Sequence, residues 1–318
     1  MTALLSPVVL FFLLGAAAAL VRSDLSVPEP IAKGLTIYLM MAIGLKGGVE
    51  VAAQGVSAEF LIAALLGVGL SFLIPIPVFW ALRSFGRLGR IDAGAVSAHY
   101  GSVSVVTFVT GSEILSALGM PAAGFMVAVL ALMETPAIVT GLLLARGGAA
   151  RIAPAGHGSG LLHETLLNGA VLLLIGSFVI GMIIGKDGFV SIAPVFEAGF
   201  RGALCIFLLE MGLLAARRLS QTRALTWRLV VLGIAFPLVN GAIGVLLASL
   251  FGLAPGAAAA LGILAASASY IAVPAAMRMA LPEADPGLYL ALSLGVTFPF
   301  NVLVGIPVFA ALAAWMGG

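Results

Sequence analysis

The chain has 318 residues, of which 62% are hydrophobic and only 9% are charged, with a formal net charge of +2. Soluble domains carry about 25% charged residues, so the composition indicates an integral membrane protein and leaves no room for a separate soluble domain within these residues. The basic residues are few and scattered, which excludes a nucleic-acid-binding surface. The single cysteine, Cys205, lies in an apolar run and is interpreted as a packing residue.

Ten apolar runs are long enough to cross a bilayer as helices, which takes about 20 residues each. They lie near residues 4–21, 31–53, 60–82, 91–110, 122–145, 166–185, 200–216, 229–252, 256–279 and 287–315. The first run resembles a signal peptide, but no Lys or Arg precedes it, so we interpret it as the first membrane helix. Short linkers join the runs, and we therefore predict one all-α polytopic membrane domain over residues 1–318.

The basic residues predict the orientation of the chain, because Lys and Arg in short loops stay on the cytoplasmic side. Twelve of the fifteen basic residues lie in or beside the segments that follow the odd-numbered spans. Both termini are therefore expected outside the cytoplasm.

Two stretches inside spans four and nine resemble each other. Ser97–Ser104 (SAHYGSVS) and Ser267–Pro274 (SASYIAVP) share four of eight positions. Small hydroxyl residues, glycine and proline are poor helix formers, so each stretch predicts an interruption in a membrane helix. Paired interruptions in two halves of a chain indicate a transporter's binding site.

Further matches between the halves predict an inverted repeat. Leu45–Gly48 matches Leu209–Gly212 at an offset of 164 residues, and Glu134–Pro136 matches Thr297–Pro299 at an offset of 163. The interrupted stretches align at an offset of 170 residues. Five spans per half make the second half enter the membrane from the opposite side, so we predict a 5+5 inverted repeat with discontinuous fourth and ninth helices. The repeats cover about residues 1–150 and 160–318.

The interruptions offer groups for both an anion and a cation. The helix that restarts after each one presents unpaired N–H groups and a partial positive charge, which suit an anion. The carbonyls that end the preceding half-helix suit a cation, and hydroxyl groups suit either ion. The hydroxyl groups here belong to Ser102, Ser104, Ser267 and Ser269. Alternatively, these small residues only allow close helix packing, and His99 is either a pH-sensitive group or a packing residue.

Spans five and ten carry polar residues beside mid-span prolines. Pro136 and Pro299 lack the N–H that bonds the carbonyl four residues earlier, at Leu132 and Gly295, so freed carbonyls or simple kinks are expected. A carboxylate near mid-membrane is a functional-site hypothesis by default, which makes Glu134 the leading candidate for binding sodium or a proton. The neutral oxygen donors nearby are Thr135, Thr297 and Asn301.

Lys46 and Glu210 occupy matching positions in the two halves and carry opposite charges. Glu50 lies one turn beyond Lys46 on the same helix face and is a second candidate partner. We favour a structural ion pair. In the alternative, the Lys46 ammonium replaces a bound cation or attracts the anion toward the site.

Five segments make the chain resemble the sodium-dependent bicarbonate transporter family best known from cyanobacteria. They are Ile43–Gly48, Gly101–Ser104, Met133–Thr140, Ala265–Ser269 and Gly305–Phe309. The resemblance implies a core of spans three to five and eight to ten, moving against a scaffold of spans one, two, six and seven in a bacterial inner membrane. It also implies a homotrimer, which in some members is restrained from the cytoplasmic side by a PII-like protein.

The resemblance implies bicarbonate at the interruptions with sodium beside it and no organic cofactor. Together with the residues above, this gives a bicarbonate site of Gly101, Ser102, Val103, Ser104, Ser267, Ala268, Ser269 and Tyr270. The candidate sodium site consists of Glu134, Thr135, Ser102, Ser269, Thr297 and Asn301. Candidates for gating or charge pairing are Lys46, Glu50, Glu210 and His99.

The chain departs from the family pattern at three places. Tyr270 stands where the cyanobacterial members have an acidic residue, and Lys46 stands where they have a threonine. These departures suggest altered sodium stoichiometry, a proton instead of sodium, or another small anion. The loop from Arg146 to Thr165 is short, whereas the cyanobacterial members have a long one, which argues against a PII-like partner.

We therefore expect a sodium-coupled symporter that brings bicarbonate into the cell by alternating access. The alternatives are a sodium- or proton-coupled permease for another small anion or an organic carboxylate and, from other classes, a passive anion channel or a non-transporting sensor. No enzyme is expected, because the spans contain no paired aspartates, His-rich cluster or nucleophile–base spacing.

Overall fold

A computed structural model describes residues 7–55, 57–147, 169–221 and 225–317. Within these ranges the chain is helical and contains no strand. Most of the loop expected between Arg146 and Thr165 lies outside the described residues, as do the first residues of the first and sixth expected spans.

The helices are numbered in chain order. They are α1 (Pro7–Leu20), α2 (Glu29–Gln54), α3 (Ala58–Leu73), α4 (Pro75–Ser84), α5 (Arg90–Gly101), α6 (Val105–Ala117), α7 (Met126–Met133), α8 (Pro136–Arg146), α9 (Gly169–Val190), α10 (Phe200–Gln221), α11 (Trp227–Leu250), α12 (Pro255–Ala266), α13 (Ala272–Ala280) and α14 (Pro286–Gly317). The chain also forms π-helical turns at Pro194–Ala198, before α10, and within α14 at Ala291–Thr297 and Asn301–Gly305.

Seven helical segments in the described ranges are long and apolar enough to cross a membrane. They are Glu29–Ala53, Ala58–Ser84, Met126–Arg146, Leu172–Val190, Pro194–Ser220, Trp227–Leu250 and Pro286–Gly317. Two shorter apolar helices, α1 and α12, accompany them. The molecule is therefore an all-α, multi-pass membrane protein.

Prolines and small capping residues determine where several helices begin and end. Pro75 and Pro136 begin α4 and α8 at positions where the missing proline N–H costs little. The Ser57 hydroxyl accepts the N–H of Phe60 and caps α3. Gly147 ends α8 with a φ of 83°, a left-handed conformation that favours glycine.

The fourth expected span continues further than its sequence indicated. We expected it to end near residue 110, but α6 continues to Ala117. Its polar residues are compatible with a helix because their hydroxyls bond to their own helix: Thr110 donates to the carbonyl of Val106 at 2.8 Å.

Helices α2 and α9 are in close backbone contact through glycines. A Cβ atom added to Gly48 would lie 1.9 Å from the carbonyl oxygen of Phe178. A Cβ added to Gly181 would lie 2.3 Å from the carbonyl oxygen of Leu45. Only glycine permits this approach, which resembles the small-residue contacts typical of membrane helices.

Helices α1 and α10 pack in the same manner. A Cβ added to Gly15 would lie 2.0 Å from the carbonyl oxygen of Leu209. A Cβ added to Gly212 would lie 2.1 Å from the carbonyl oxygen of Phe12. The pairs α1–α10 and α2–α9 are thus held together by backbone proximity.

Helices α5 and α12 lie in the interior of the molecule. Every residue from Ala93 to Gly101 and from Gly256 to Ala266 is buried. Both segments are rich in alanine and glycine, which lets α12 approach α11 closely: a Cβ on Gly244 would lie 3.0 Å from the Ala265 side chain. The ends of α5 and α12 are therefore surrounded by protein.

Candidate functional site

The first interruption separates α5 from α6. Helix α5 ends at Gly101, and Ser102 has extended backbone angles (φ −85°, ψ 179°). Ser104, also extended, caps α6 by accepting the N–H of Thr107 on its hydroxyl at 3.2 Å. The polar Gly-Ser-Val-Ser sequence therefore ends one helix and starts the next.

The second interruption separates α12 from α13. Ser267 is extended after the last residue of α12 and donates its hydroxyl to the carbonyl of Leu264 at 2.7 Å. The Ser269 hydroxyl accepts the N–H of Val273, at 3.3 Å, near the start of α13. Serine hydroxyls thus cap the helix that follows each interruption.

The two interruptions cross and satisfy each other's backbone. The Ser104 N–H donates to the Ser267 hydroxyl oxygen at 2.9 Å. The Ser269 N–H donates to the carbonyl of His99 at 2.9 Å. Unwound backbone at membrane depth is tolerated only where such partners exist, so the crossing explains how both helices can break in the interior.

A small cavity lies beside the crossing, with a volume of about 10 Å³. It has room for about one water-sized particle. Its walls are Met40, Val103, Ser104, Val105, Glu134, Ser269, Tyr270, Ile271 and Ala272. Five residues that the sequence indicated therefore meet in one place: Val103, Ser104, Glu134, Ser269 and Tyr270.

The Glu134 carboxylate is the most conspicuous group of this cavity. Glu134 lies between α7 and α8 and is 3% exposed. Its Oε2 atom is buried and has no hydrogen-bond partner among the described residues. A buried carboxylate without a partner is costly unless it binds a cation or a proton.

Tyr270 brings a second polar atom to the cavity. Its hydroxyl is buried and adjacent to Ser104, but it makes no well-formed hydrogen bond with a described residue. The ring packs edge-on against Phe298, with ring centroids 5.6 Å apart. The ring fixes the side chain, and the hydroxyl remains available to a ligand.

A sequence model of the sodium-dependent bicarbonate transporter superfamily matches residues 7–314. The chain belongs to this superfamily. No curated protein gives a significant match. The superfamily consists of transporters, which confirms that the chain is not an enzyme, and its description implies sodium as the coupling ion and a small anion as the substrate.

The helical segment that carries Glu134 in this transporter is held by Ser71 of α3 and by Ser102 of the first interruption. Ser102 donates to the carbonyl of Glu134 at 3.0 Å, and Ser71 donates to the carbonyl of Met133 at 2.7 Å. We expected Pro136 to free the carbonyl of Leu132. The two serine hydroxyls bond instead to the next two carbonyls of the chain, those of Met133 and Glu134. Ser102 therefore positions Glu134.

Four of the cation candidates do not line the small cavity: Ser102, whose hydroxyl bonds to the carbonyl of Glu134, and Thr135, Thr297 and Asn301. Thr135 lines an apolar cavity between α7 and α9. Thr297 donates its hydroxyl to the carbonyl of Gly233 at 2.8 Å and lies 2.6 Å from the Tyr100 hydroxyl. Asn301 donates to the carbonyl of Ala266 at 2.8 Å and retains a buried, unpartnered Oδ1. These residues do not reach the Glu134 cavity, because the direction in which a side chain leaves its helix depends on the rotation of the helix. The sequence does not reveal this rotation near a break.

The charge pairing of Lys46 differs from both pairings that the sequence suggested. The Lys46 ammonium lies 3.5 Å from Glu197, in the π-helical turn before α10, and the pair is partly exposed. Glu50 forms no ion pair with Lys46 within 4 Å and lies against the backbone of Gly124, although its carboxylate still feels the charge of Lys46. Glu210 retains a buried Oε2 without a described partner. Lys46 reaches Glu197 because the turn Pro194–Ala198, which carries Glu197, packs against α2.

His99 is fully buried at the end of α5. Its Nδ1 lies 2.7 Å from the Ala95 carbonyl, so Nδ1 carries the hydrogen and Nε2 is an acceptor. Nε2 has no partner among the described residues, and the ring stacks on Tyr289 at 4.4 Å. Since the carbonyl of His99 accepts the Ser269 N–H, His99 supports the crossing directly.

The remaining predicted site residues lie at or beside the crossing. A Cβ on Gly101 would lie 2.3 Å from the Pro75 ring, so glycine here lets α5 contact the start of α4. Ser267 accepts one crossing bond, while Val103 and Ala268 are buried around the crossing. The sequence reasoning missed Met40, an ordinary apolar residue of α2, and Ser71, a buried serine whose position just before Pro75 was a usable signal.

Proposed function

We propose that the protein imports bicarbonate together with sodium by alternating access. The observation that carries this proposal is the cavity at the crossing, where a carboxylate with an unpartnered Oε2 meets the starts of two half-helices. The superfamily match supplies the chemical identity of both ions. The lining of the cavity offers groups for both ions within one cluster of side chains.

Sodium binds at Glu134 in this proposal. A cavity of about 10 Å³ suits one small ion, and the Oε2 atom lacks any other described partner. The hydroxyl oxygens of Ser104 and Ser269 line the same space and are neutral oxygen donors of the kind that hard cations prefer. One bound cation would neutralise the carboxylate.

Bicarbonate binds between the starts of α6 and α13. Ser104 and Ser269 each accept a backbone N–H at their hydroxyl oxygen, so each retains one O–H hydrogen to donate. The partial positive charge at each helix start favours an anion. A bound sodium ion beside these groups adds a further positive charge, which explains why anion binding would require the cation.

The described conformation is too narrow for the anion. Bicarbonate has four heavy atoms, whereas the cavity holds about one water-sized particle. Met40 of α2 closes one wall, and Ile271, beside the second interruption, forms another. Movement of the crossing away from α2 would open the site, as alternating access requires.

The glycine contacts support an inverted repeat. Gly48 approaches the carbonyl of Phe178, and Gly212 approaches the carbonyl of Phe12. The two glycines are 164 residues apart, and the two phenylalanines are 166 residues apart. The contact of Gly48 with Phe178 is therefore repeated as the contact of Gly212 with Phe12. These offsets agree with the offset of 164 between the Lys46 and Glu210 motifs.

A second pair of contacts follows the same rule. Gly181 follows Gly15 by 166 residues, and Leu209 follows Leu45 by 164, so the contact of Gly15 with Leu209 is repeated as that of Gly181 with Leu45. Four close backbone contacts thus form two symmetry-related pairs. We therefore assign α1, α2, α9 and α10 to the scaffold and the remaining helices to the moving core of a ten-span, 5+5 arrangement.

The proposal includes the setting that the sequence and the resemblance imply. The transporter lies in a bacterial inner membrane with both termini outside the cytoplasm, and it assembles as a homotrimer. Chemical cross-linking in membranes tests the assembly, and labelling of single cysteines added at residues 2 and 317 tests the orientation.

The direct test of the transported ions is uptake of labelled bicarbonate into proteoliposomes at fixed pH. We expect uptake with an inward sodium gradient and almost none with potassium in its place. Glu134→Gln, which preserves size and removes the charge, should abolish the sodium stimulation, while Glu197→Gln outside the cavity should retain it. Equal uptake in sodium and potassium would contradict the proposal.

A proton is the second candidate for the coupling ion. Glu134 favours it, because a buried carboxylate is neutralised by a proton as well as by sodium. Uptake driven by an inward proton gradient in sodium-free vesicles would support this alternative. A competition panel of formate, acetate and nitrate in the same vesicles identifies any other preferred anion.

A further inference from the structure

An apolar groove separates helix α7, which leads to Glu134, from helix α9. The cavity has a volume of about 460 Å³. Ala131, Leu132 and Thr135 lie on one side, and Ile175, Phe178 and Val179 lie on the other. Leu132, Ile175 and Val179 are 46%, 41% and 45% exposed, so the groove opens to the outside of the molecule.

The other half of the chain fills the equivalent space with an aromatic ring. Phe12 of α1 packs edge-on against Phe298 of α14, with ring centroids 5.5 Å apart, and Phe298 is 1% exposed. Phe178 follows Phe12 by 166 residues, and Phe298 follows Thr135 by 163. The groove therefore lies beside Thr135 in the first half of the chain. The equivalent residue in the second half is Phe298, whose ring fills the corresponding space.

We infer that the acyl chain of a membrane lipid occupies this groove. The groove faces outward near the middle of the apolar segments Met126–Arg146 and Leu172–Val190, where the surroundings are bilayer hydrocarbon. Water is disfavoured in such an apolar space, and the space lacks the ring that fills its counterpart. A hydrocarbon chain has the apolar surface that completes the packing of this groove.

A mobile chain suits this position better than a side chain of a second copy. One wall belongs to α9 and the other to α7 and the start of α8, which the proposed function assigns to the scaffold and to the core, respectively. Two surfaces that slide past each other retain their contacts if a flexible chain fills the gap. Lipid binding itself does not depend on sodium or bicarbonate, so its test is independent of the proposed function.

The test uses the full-length protein in nanodiscs that contain phosphatidylcholine with a photoactivatable diazirine on one acyl chain. We expect adducts concentrated on Ala131, Leu132, Ile175 and Val179. Ala131→Phe fills the groove and should reduce these adducts about tenfold, equivalent to about 1.4 kcal/mol of binding free energy. Ala311→Phe, at an exposed alanine of α14, is the matched control and should leave the adducts unchanged.

Ala128→Phe serves as a second filling variant, and size-exclusion chromatography establishes that each variant is folded. Equal labelling of the groove in Ala131→Phe, Ala128→Phe and the unaltered protein would overturn the inference. Cross-links between copies of the chain through Ile175→Cys, with no lipid adducts, would likewise overturn it and assign the groove to a second copy.

Discussion

At the scale of single residues, the proposed function gives the serine caps two roles. Ser104 accepts the Thr107 N–H and also lines the cavity, where its hydroxyl hydrogen can be donated to a ligand. A cap contributes about 1 kcal/mol to stability, whereas a hydrogen bond to a charged ligand contributes about 1.5–3 kcal/mol. Loss of the cap lowers the stability of the protein, whereas loss of the ligand contact weakens bicarbonate binding. A melting temperature and a KM therefore measure the two roles separately.

Ser104→Ala is expected to raise the KM for bicarbonate by about tenfold or more, because about 1.4 kcal/mol corresponds to a factor of ten. The melting temperature should fall only slightly. Uptake kinetics in proteoliposomes give the KM. Ser116→Ala, an exposed serine of the same helix, should leave both values unchanged, and an unaltered KM in Ser104→Ala would exclude the hydroxyl from the anion site.

We expect Tyr270 to determine how many cations the cavity can hold. Glu134 is the one carboxylate among the described residues that line it, so we expect a hyperbolic dependence of uptake on sodium concentration. Tyr270→Asp adds a second carboxylate beside Ser104, and the sodium dependence should become sigmoidal. Tyr270→Phe, which removes only the hydroxyl, should remain hyperbolic. A hyperbolic curve for Tyr270→Asp with normal expression would contradict this role.

At the scale of elements, the glycine contacts predict where the helix pairs are sensitive. Gly48→Ala places a Cβ within 1.9 Å of the Phe178 carbonyl oxygen, and overpacking of this kind costs about 1–3 kcal/mol. We expect a lower melting temperature. Gly69→Ala in α3, where a Cβ meets no atom within 4 Å, should be neutral or stabilising by about 0.5–1 kcal/mol. A Gly48→Ala protein as stable as Gly69→Ala would show that α2 and α9 do not pack as described.

The helix interruptions were predictable from sequence, because serine, glycine and proline in an apolar run favour caps over continued helix. Glu134 was predictable for a related reason, since a carboxylate in such a run requires a partner. The place of Met40 in the cavity wall was not predictable, because it depends on where α2 packs and not on the chemistry of the methionine side chain. Lys46 was paired wrongly because its partner, Glu197, comes from a turn whose path the sequence did not reveal.

At the scale of the whole molecule, the proposed function requires α2 and the crossing to separate during each cycle. Met40 of α2 and Ile271 line the same small cavity. Their positions allow a cross-link between scaffold and core. Cys205, the single native cysteine, is replaced by serine to give a clean background.

The double variant Met40→Cys with Ile271→Cys is expected to lose bicarbonate uptake when a short bifunctional maleimide joins the two thiols. Each single variant should retain uptake after the same treatment. Mass spectrometry establishes the extent of cross-linking. Full uptake by a completely cross-linked protein would exclude movement of the core against α2.

The central claim is that both ions cross in one cycle, and sodium flux tests it most directly. Proteoliposomes with equal sodium on both sides receive an inward bicarbonate gradient at constant pH and clamped membrane potential, and labelled sodium inside is measured. Symport predicts a transient accumulation of sodium above its outside concentration, which Glu134→Gln abolishes. Bicarbonate entry without any accumulation of sodium would contradict the account.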